Sequence, residues 1–211
     1  MSPAAGAAHG PARTGRTAAT KQRLFEAAME LIGQRGADGV TVDEIAAAAG
    51  VAKGTVYYNF GSKNELVEQL LRHGMSLLME RLSNGGASPS SDPLDDVRGE
   101  IERALGFIAE YPAFVRLWLG EQWRADGAWQ GLLTEMRAEV LAVIEAGVRR
   151  VAADRPLRAR VTPGGVAVAL FGAAFVTGMD RAAYHRSRSL DEASEAVFSL
   201  VLGTLEPGSG R

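Results

Sequence analysis

Apolar residues recur at helical spacing along almost the whole chain. Leu24, Ala27, Ala28, Leu31 and Ile32 fall at i, i+3, i+4, i+7 and i+8, which puts one apolar stripe on a first helix. Thr17 or Thr20 is the expected N-cap, and Gly36, directly after Arg35, the expected stop. Thr41-Val42-Asp43-Glu44 reads as a capping box opening a short helix through Ala49. Gly50 breaks it, and a second short helix runs from Ala52 to Tyr58. Ser62-Lys63-Asn64-Glu65 is a second capping box, followed by a long helix whose apolar face carries Leu66, Leu70, Leu78 and Leu82. Ser83 to Pro93 is a polar Gly/Pro/Ser loop.

The pattern continues beyond it. Val97, Ile101, Ala104, Leu105 and Ile108 mark a fifth helix that Pro112 ends at Tyr111. An aromatic helix with Phe114, Leu117, Trp118 and Trp123 follows, then a long one from Leu132 to Val151. Thr162-Pro163 is a cap with proline at the first helical position, and Ser189-Leu190-Asp191-Glu192 is a third capping box, opening a last helix to Leu205. No stretch alternates with period two, so the expected fold is all-α: about nine helices and no sheet.

Val161 to Met179 carries no charge over 19 residues, near the ~20 that span a bilayer. Pro163, Gly164 and Gly165 confine the expected regular helix to Gly165–Met179, ~22 Å at 1.5 Å per residue. A helix buried in the protein or at a subunit contact is the better reading, and no membrane partner is expected.

At 211 residues, with 46% hydrophobic and 23% charged residues, the chain is an ordinary globular one. A net charge of −2 excludes a polycationic packager but not a local basic face. The absence of cysteine excludes disulfides, thiolate metal sites and a cysteine nucleophile, and His9, His73 and His185 are too scattered to pair on a metal. No phosphate loop or Ser–His–acid arrangement is present, so neither an enzyme nor a cofactor is expected.

Val42 to Phe60 is the informative stretch. Ala46, Gly50 and Val51 sit where a helix-turn-helix needs a small residue, a tight turn and an apolar plug. Ile45 to Asn64 contains Lys53 and Lys63 and no carboxylate; Met1 to Phe25 contains Arg13, Arg16, Lys21 and Arg23 and none either. Acid-free tracts suit a phosphate backbone. Thr55, Tyr57, Tyr58 and Asn59 are polar groups able to meet phosphates or base edges.

These residues carry a resemblance. Thr41-x-x-x-Ile45-Ala46-x-x-Ala49-Gly50-Val51-x-Lys53-Gly54-Thr55-x-Tyr57-x-x-Phe60-x-Ser62-Lys63-x-x-Leu66 resembles the DNA-binding segment of the tetracycline-repressor (TetR) family, a match that spans about Thr17 to Arg72. The resemblance implies a helix-turn-helix DNA-binding domain over 17–65, a ligand-binding and dimerisation domain over 66–205, and flexible tails over 1–16 and 206–211. It implies DNA contacts by Thr41, Lys53, Gly54, Thr55, Tyr57, Tyr58, Asn59 and Lys63. Ala52 stands where the family often has Ser, Asn59 where His is frequent and Val42 where a second Thr is common. The implied function is a ligand-responsive repressor, cytoplasmic and at the nucleoid, that binds a near-palindromic double-stranded operator as a homodimer.

A small apolar or aromatic effector is the implied second partner, with Phe107, Tyr111, Phe114, Trp118 and Met136 as its candidate site and Glu121, Gln122 and Arg124 as orienting groups. Ordinary core packing is the competing account of those aromatics. The dimer is expected on Ala169, Gly172, Ala173 and Val176 of the uncharged helix and Val197, Leu200 and Val201 of the last. A helical interaction protein without DNA binding, and a transcriptional activator of the same fold, stay open as alternatives.

Overall fold

The computed structural model describes residues 12–83, 90–124, 127–185 and 187–207. Among these, nine helices form two compact units that divide between Leu70 and Leu71. The first unit holds α1 (Ala12–Arg35), α2 (Val42–Ala48), α3 (Lys53–Phe60) and the beginning of α4 (Lys63–Ser83). The second holds the rest of α4, α5 (Pro93–Glu110), α6 (Pro112–Gln122), α7 (Gln130–Asp154), α8 (Pro163–Ala183) and α9 (Leu190–Thr204).

In the first unit the stripe of α1 is buried at Leu24, Ala28 and Ile32 and closes on Ile45, Val56, Phe60, Leu66 and Leu70. Phe25 and Phe60 stack with ring centroids 5.2 Å apart, and the Lys21 ammonium lies over both rings. α1 begins at Ala12, so Thr17 and Thr20 lie inside the helix rather than capping it. Helix backbone therefore covers 12–16, part of the expected tail; residues 1–11 lie outside the described residues. The α2–α3 turn depends on Gly50, whose φ of 64° is a left-handed conformation that a side chain would strain.

In the second unit α5 packs against α7, α8 and α9, and α6 against α7 and α8. Its core is aromatic. Phe107, Phe114, Trp118, Phe171 and Phe175 form a continuous run of tilted and edge-to-face rings with centroids 4.5–5.9 Å apart. Asp92 caps α5 ahead of Pro93 and holds Arg155 through two bonds of 2.6 and 2.7 Å. Thr162 caps α8 ahead of Pro163, and the Ser189 capping box is complete. Half of the Ser62 box forms: the Glu65 N–H donates to Ser62 Oγ at 3.1 Å, but the Ser62 N–H goes to the Phe60 carbonyl.

The expected extent of the uncharged helix needs correcting. Capped at Thr162, α8 runs from Pro163 to Ala183, 21 residues rather than the shorter Gly165–Met179, because proline and glycine are tolerated in a first turn whose N–H groups have no intrahelical partner. By length and composition α8 is long and apolar enough to cross a bilayer, with 33% of its most apolar window buried. The structure also contains an isolated antiparallel bridge, Leu157 with Leu205, flanked by bonds from the Arg158 N–H to the Thr204 carbonyl and from the Glu206 N–H to the Pro156 carbonyl. Glu206 is thus tied down; residues 208–211 of the expected tail lie outside the described residues.

Candidate nucleic-acid interface and apolar cavity

α3 is eight residues long and has no side-chain cap, since Ala52 offers no acceptor. Its position comes from burial of Val56 and Phe60, one turn apart. That anchoring turns the other face outward. Tyr58 is 83% exposed and Tyr57 45%, so both tyrosines face solvent. Gly54 is exposed, and a Cβ there would meet nothing within 4 Å, which leaves α3 open to close approach. Lys53 is exposed; Thr55, Asn59 and Lys63 are half-buried.

Three of the expected contact groups are already engaged. The Thr41 hydroxyl accepts from the Glu44 N–H at 3.2 Å and donates to Glu44 Oε2 at 2.8 Å. Asn59 Nδ2 donates to the Thr55 carbonyl at 2.7 Å, which leaves less of its amide for a base edge. Lys53 Nζ pairs with Asp43 Oδ2 at 2.8 Å, and this carboxylate raises the Lys53 pKa. The acid-free tract of the sequence begins at Ile45, and the fold brings in Asp43 from two residues upstream. Glu44 is held well below its usual range, at about 2, first by the Thr41 backbone N–H and then by Arg35.

The second unit encloses a cavity of about 70 Å³ between α4, α5, α6, α7 and α8. Its walls include Leu78, Leu82, Ile101, Phe107, Trp118, Val140, Phe171 and Phe175. Of the five expected ligand residues, Phe107 and Trp118 line it. Phe114 is buried against Gly74, where a Cβ would lie 2.2 Å from its ring, and Met136 is buried in the core. Tyr111 lines a separate groove. None of Glu121, Gln122 and Arg124 reaches the cavity: Glu121 pairs with Arg124, and Gln122 accepts the Trp118 indole N–H at 2.9 Å.

Glu100 is the ionisable residue in the cavity wall. Burial raises its pKa, against the lowering effect of Arg150, whose Nη2 donates to its Oε1 at 3.2 Å. A Cβ on Gly147 would stand 2.8 Å from Glu100 Oε2, so that glycine makes room for the carboxylate. The sequence did hold a signal for it: Glu100 lies three residues after Val97 and four before Ala104, on the apolar stripe of α5.

Of the expected dimer residues, Ala169 and Val176 on α8 and Leu200 on α9 are exposed, Val176 by 69%. Gly172 and Ala173 are half-buried. Val197 and Val201 are each 1% exposed and face the core, because the stripe that α9 turns to α5 and α8 runs through Ala193, Val197 and Val201. The outer face of α9 is Ala196, Leu200 and Gly203.

Comparison with known proteins bears on residues 24–70, which match the bacterial regulatory proteins of the tetR family. The HTH-type transcriptional repressor SCO4008 of Streptomyces coelicolor is 36% identical over 135 residues, 63% of this chain and 66% of that protein. The HTH-type transcriptional repressor KstR2 of Mycobacterium tuberculosis is 32% identical over 100 residues, 47% of this chain and 46% of that one. The chain thus spans between about half and just under two thirds of the length of these curated relatives. Among solved structures, the transcriptional regulator FadR from Bacillus subtilis in complex with stearoyl-CoA superposes with a TM-score of 0.73 at 18% identity, covering 88% of this chain and 99% of that one. At that identity the likeness concerns the fold. A helix-turn-helix with its tyrosines outward, a matching DNA-binding segment and relatives that are transcriptional repressors agree: the chain belongs to the TetR family.

Proposed function

We propose that the protein is a dimeric, ligand-responsive transcriptional repressor that binds a near-palindromic operator through α3. The observation that carries this reading is the polarity of α3. Val56 and Phe60 lock it from within while Gly54, Tyr57 and Tyr58 stand outward on a helix that carries no acid itself, Asp43 beside Lys53 being the acid that the fold brings near. In the simplest arrangement two copies of α3 enter successive major grooves, ~34–36 Å apart. Lys63 and the N-terminus of α4 supply phosphate contacts, and Lys53 joins them when it exchanges Asp43 for a phosphate. The protein works in the cytoplasm, at the nucleoid.

The second copy covers the exposed apolar face of α8 and α9, from Ala169 and Val176 to Ala196 and Leu200. Such a self-complementary face is what a two-fold dimer needs. The effector enters the cavity of the second unit. Pockets that hold a small molecule are usually ~300 Å³ or more, so the 70 Å³ present must widen on binding. Leu78 and Leu82 form part of the wall and sit on α4, the unbroken helix that begins at Lys63. An effector that prefers the widened form shifts the population toward it and lowers DNA affinity by the same coupling factor.

Selection of bound duplexes from a random pool, followed by gel shift, tests the reading. A near-palindromic consensus is expected, and Tyr58→Ala with Lys63→Ala should abolish the shift while helix content and dimerisation persist. An unchanged shift refutes the assigned surface.

A further inference from the structure

An open groove of about 390 Å³ runs beside the aromatic core of the second unit, lined by Leu77, Glu80, Arg81, Arg103, Phe107 and Tyr111. Its two arginines are incompletely satisfied. Arg81 Nη2 pairs with Glu110 Oε2 at 2.7 Å, but Arg81 Nη1 is buried without a hydrogen-bond partner. Arg103 Nε is likewise buried and unpartnered, and among the described residues no ion pair holds Arg103. A buried donor left without an acceptor is costly, more so when it belongs to a charged group. Both orphan atoms are donors, so what completes the groove must bring acceptors.

The local carboxylates do not bond the orphan atoms: Glu100 acts on Arg103 through its charge, but its carboxylate is paired with Arg150 at 3.2 Å. Glu110 already accepts from the Tyr111 hydroxyl and, after it, from Arg81, and these bonds hold its pKa down. Glu80 is exposed at the rim. The position of Arg103 is prepared by Gly99, where a Cβ would stand 2.9 Å from Nη1. Phe107 supplies the link, because its ring lines both this groove and the apolar cavity. An apolar chain in the cavity and an acceptor-bearing head in the groove would meet at that ring.

We propose that Arg81 and Arg103 form the head-group site of an amphiphilic effector, an apolar chain ending in a carboxylate or a phosphate. Two cations with free donors suit either oxyanion, and guanidinium groups match both geometrically. This deepens the regulator reading and rests on it for the effector's role. Its binding test is independent of DNA.

Calorimetric titration of the full chain with dodecanoate, dodecyl phosphate and the neutral methyl dodecanoate decides it. One or both anions should bind roughly tenfold or more tightly than the ester, the scale of a charge-assisted bond. Which anion wins identifies the head group. Arg103→Gln alone, and with Arg81→Gln, should erase that preference and leave ester affinity and helical content unchanged. Because Arg81→Gln also frees Glu110, the single Arg103 variant keeps the test sound if the double variant unfolds. Equal binding of ester and anions, no binding of any of them, or an intact preference in the Arg103 variant overturns the proposal. A chain that prefers anions but binds no duplex refutes the regulator reading alone. A chain that binds duplex without discriminating charge refutes only the head-group site.

Discussion

Gly74→Ala measures how rigidly the aromatic core of the second unit is built. An alanine Cβ there would lie 2.2, 2.3 and 2.7 Å from Cδ2, Cε2 and Cγ of Phe114. That ring cannot swing away freely. It is 1% exposed and sits 5.8 Å from both Phe107 and Trp118, each of which lines the cavity. Overpacking of this kind costs about 1–3 kcal/mol, and three contacts below 3 Å place it at the upper end. Replacing a helical glycine returns about 1 kcal/mol of propensity. The net loss is about 2 kcal/mol, or ~4–8 °C in Tm for a chain of this size. Gly120→Ala on α6 is the control: its Cβ would meet nothing within 4 Å, so the propensity gain stands alone and Tm rises by about 2–4 °C. Thermal melts followed by circular dichroism compare the two. In the cycle with Phe114→Leu, the double variant should lose less than the two single losses added. If Gly74→Ala melts at or above the wild-type temperature, the ring yields and the picture of a locked aromatic wall is wrong.

The remaining expectations concern the DNA surface and the dimer. Asp43→Asn frees Lys53 from its exposed partner, so duplex affinity measured by fluorescence anisotropy should rise by roughly two- to fivefold with a steeper salt slope; weaker binding would mean that Asp43 orients the lysine for contact. The folded pKa of Glu44, about 2, lies below its usual 4.5, so its contribution to stability is complete above about 4.5 and disappears as pH falls toward 2. Acid-unfolding curves of Glu44→Gln should lack that part of the dependence, and curves parallel to wild type would refute the linkage. Val176→Glu places a charge on an exposed position of α8 and should yield a folded monomer in sedimentation, whereas Val197→Glu, aimed into the core, should unfold the second unit. A dimeric Val176 variant would move the interface elsewhere.

Local signals determined a good deal by themselves. The Thr41 and Ser189 capping boxes, Pro163 after its cap and the Gly50 turn are decided within four or five residues of backbone, so they could be read without knowing what lies across the fold. The same holds for the inward pair Val56 and Phe60, a one-turn spacing that makes α3 a helix with a free face. What tertiary structure decided is which of several apolar or charged groups meet. Val197 and Leu200 both look like members of an apolar face, and only the packing of α9 on α5 and α8 buries one and exposes the other. Phe107 and Phe114 belong to the same aromatic run, yet one lines the cavity and the other closes on Gly74, because the missing Cβ lies on a different helix. Asp43 reaches Lys53 across ten residues, and Glu100 turns inward beneath Gly147, forty-seven residues away. Periodicity assigns a residue to a side of its own helix; the partner on that side is set by chain segments far off in sequence, and one residue's spacing does not contain them.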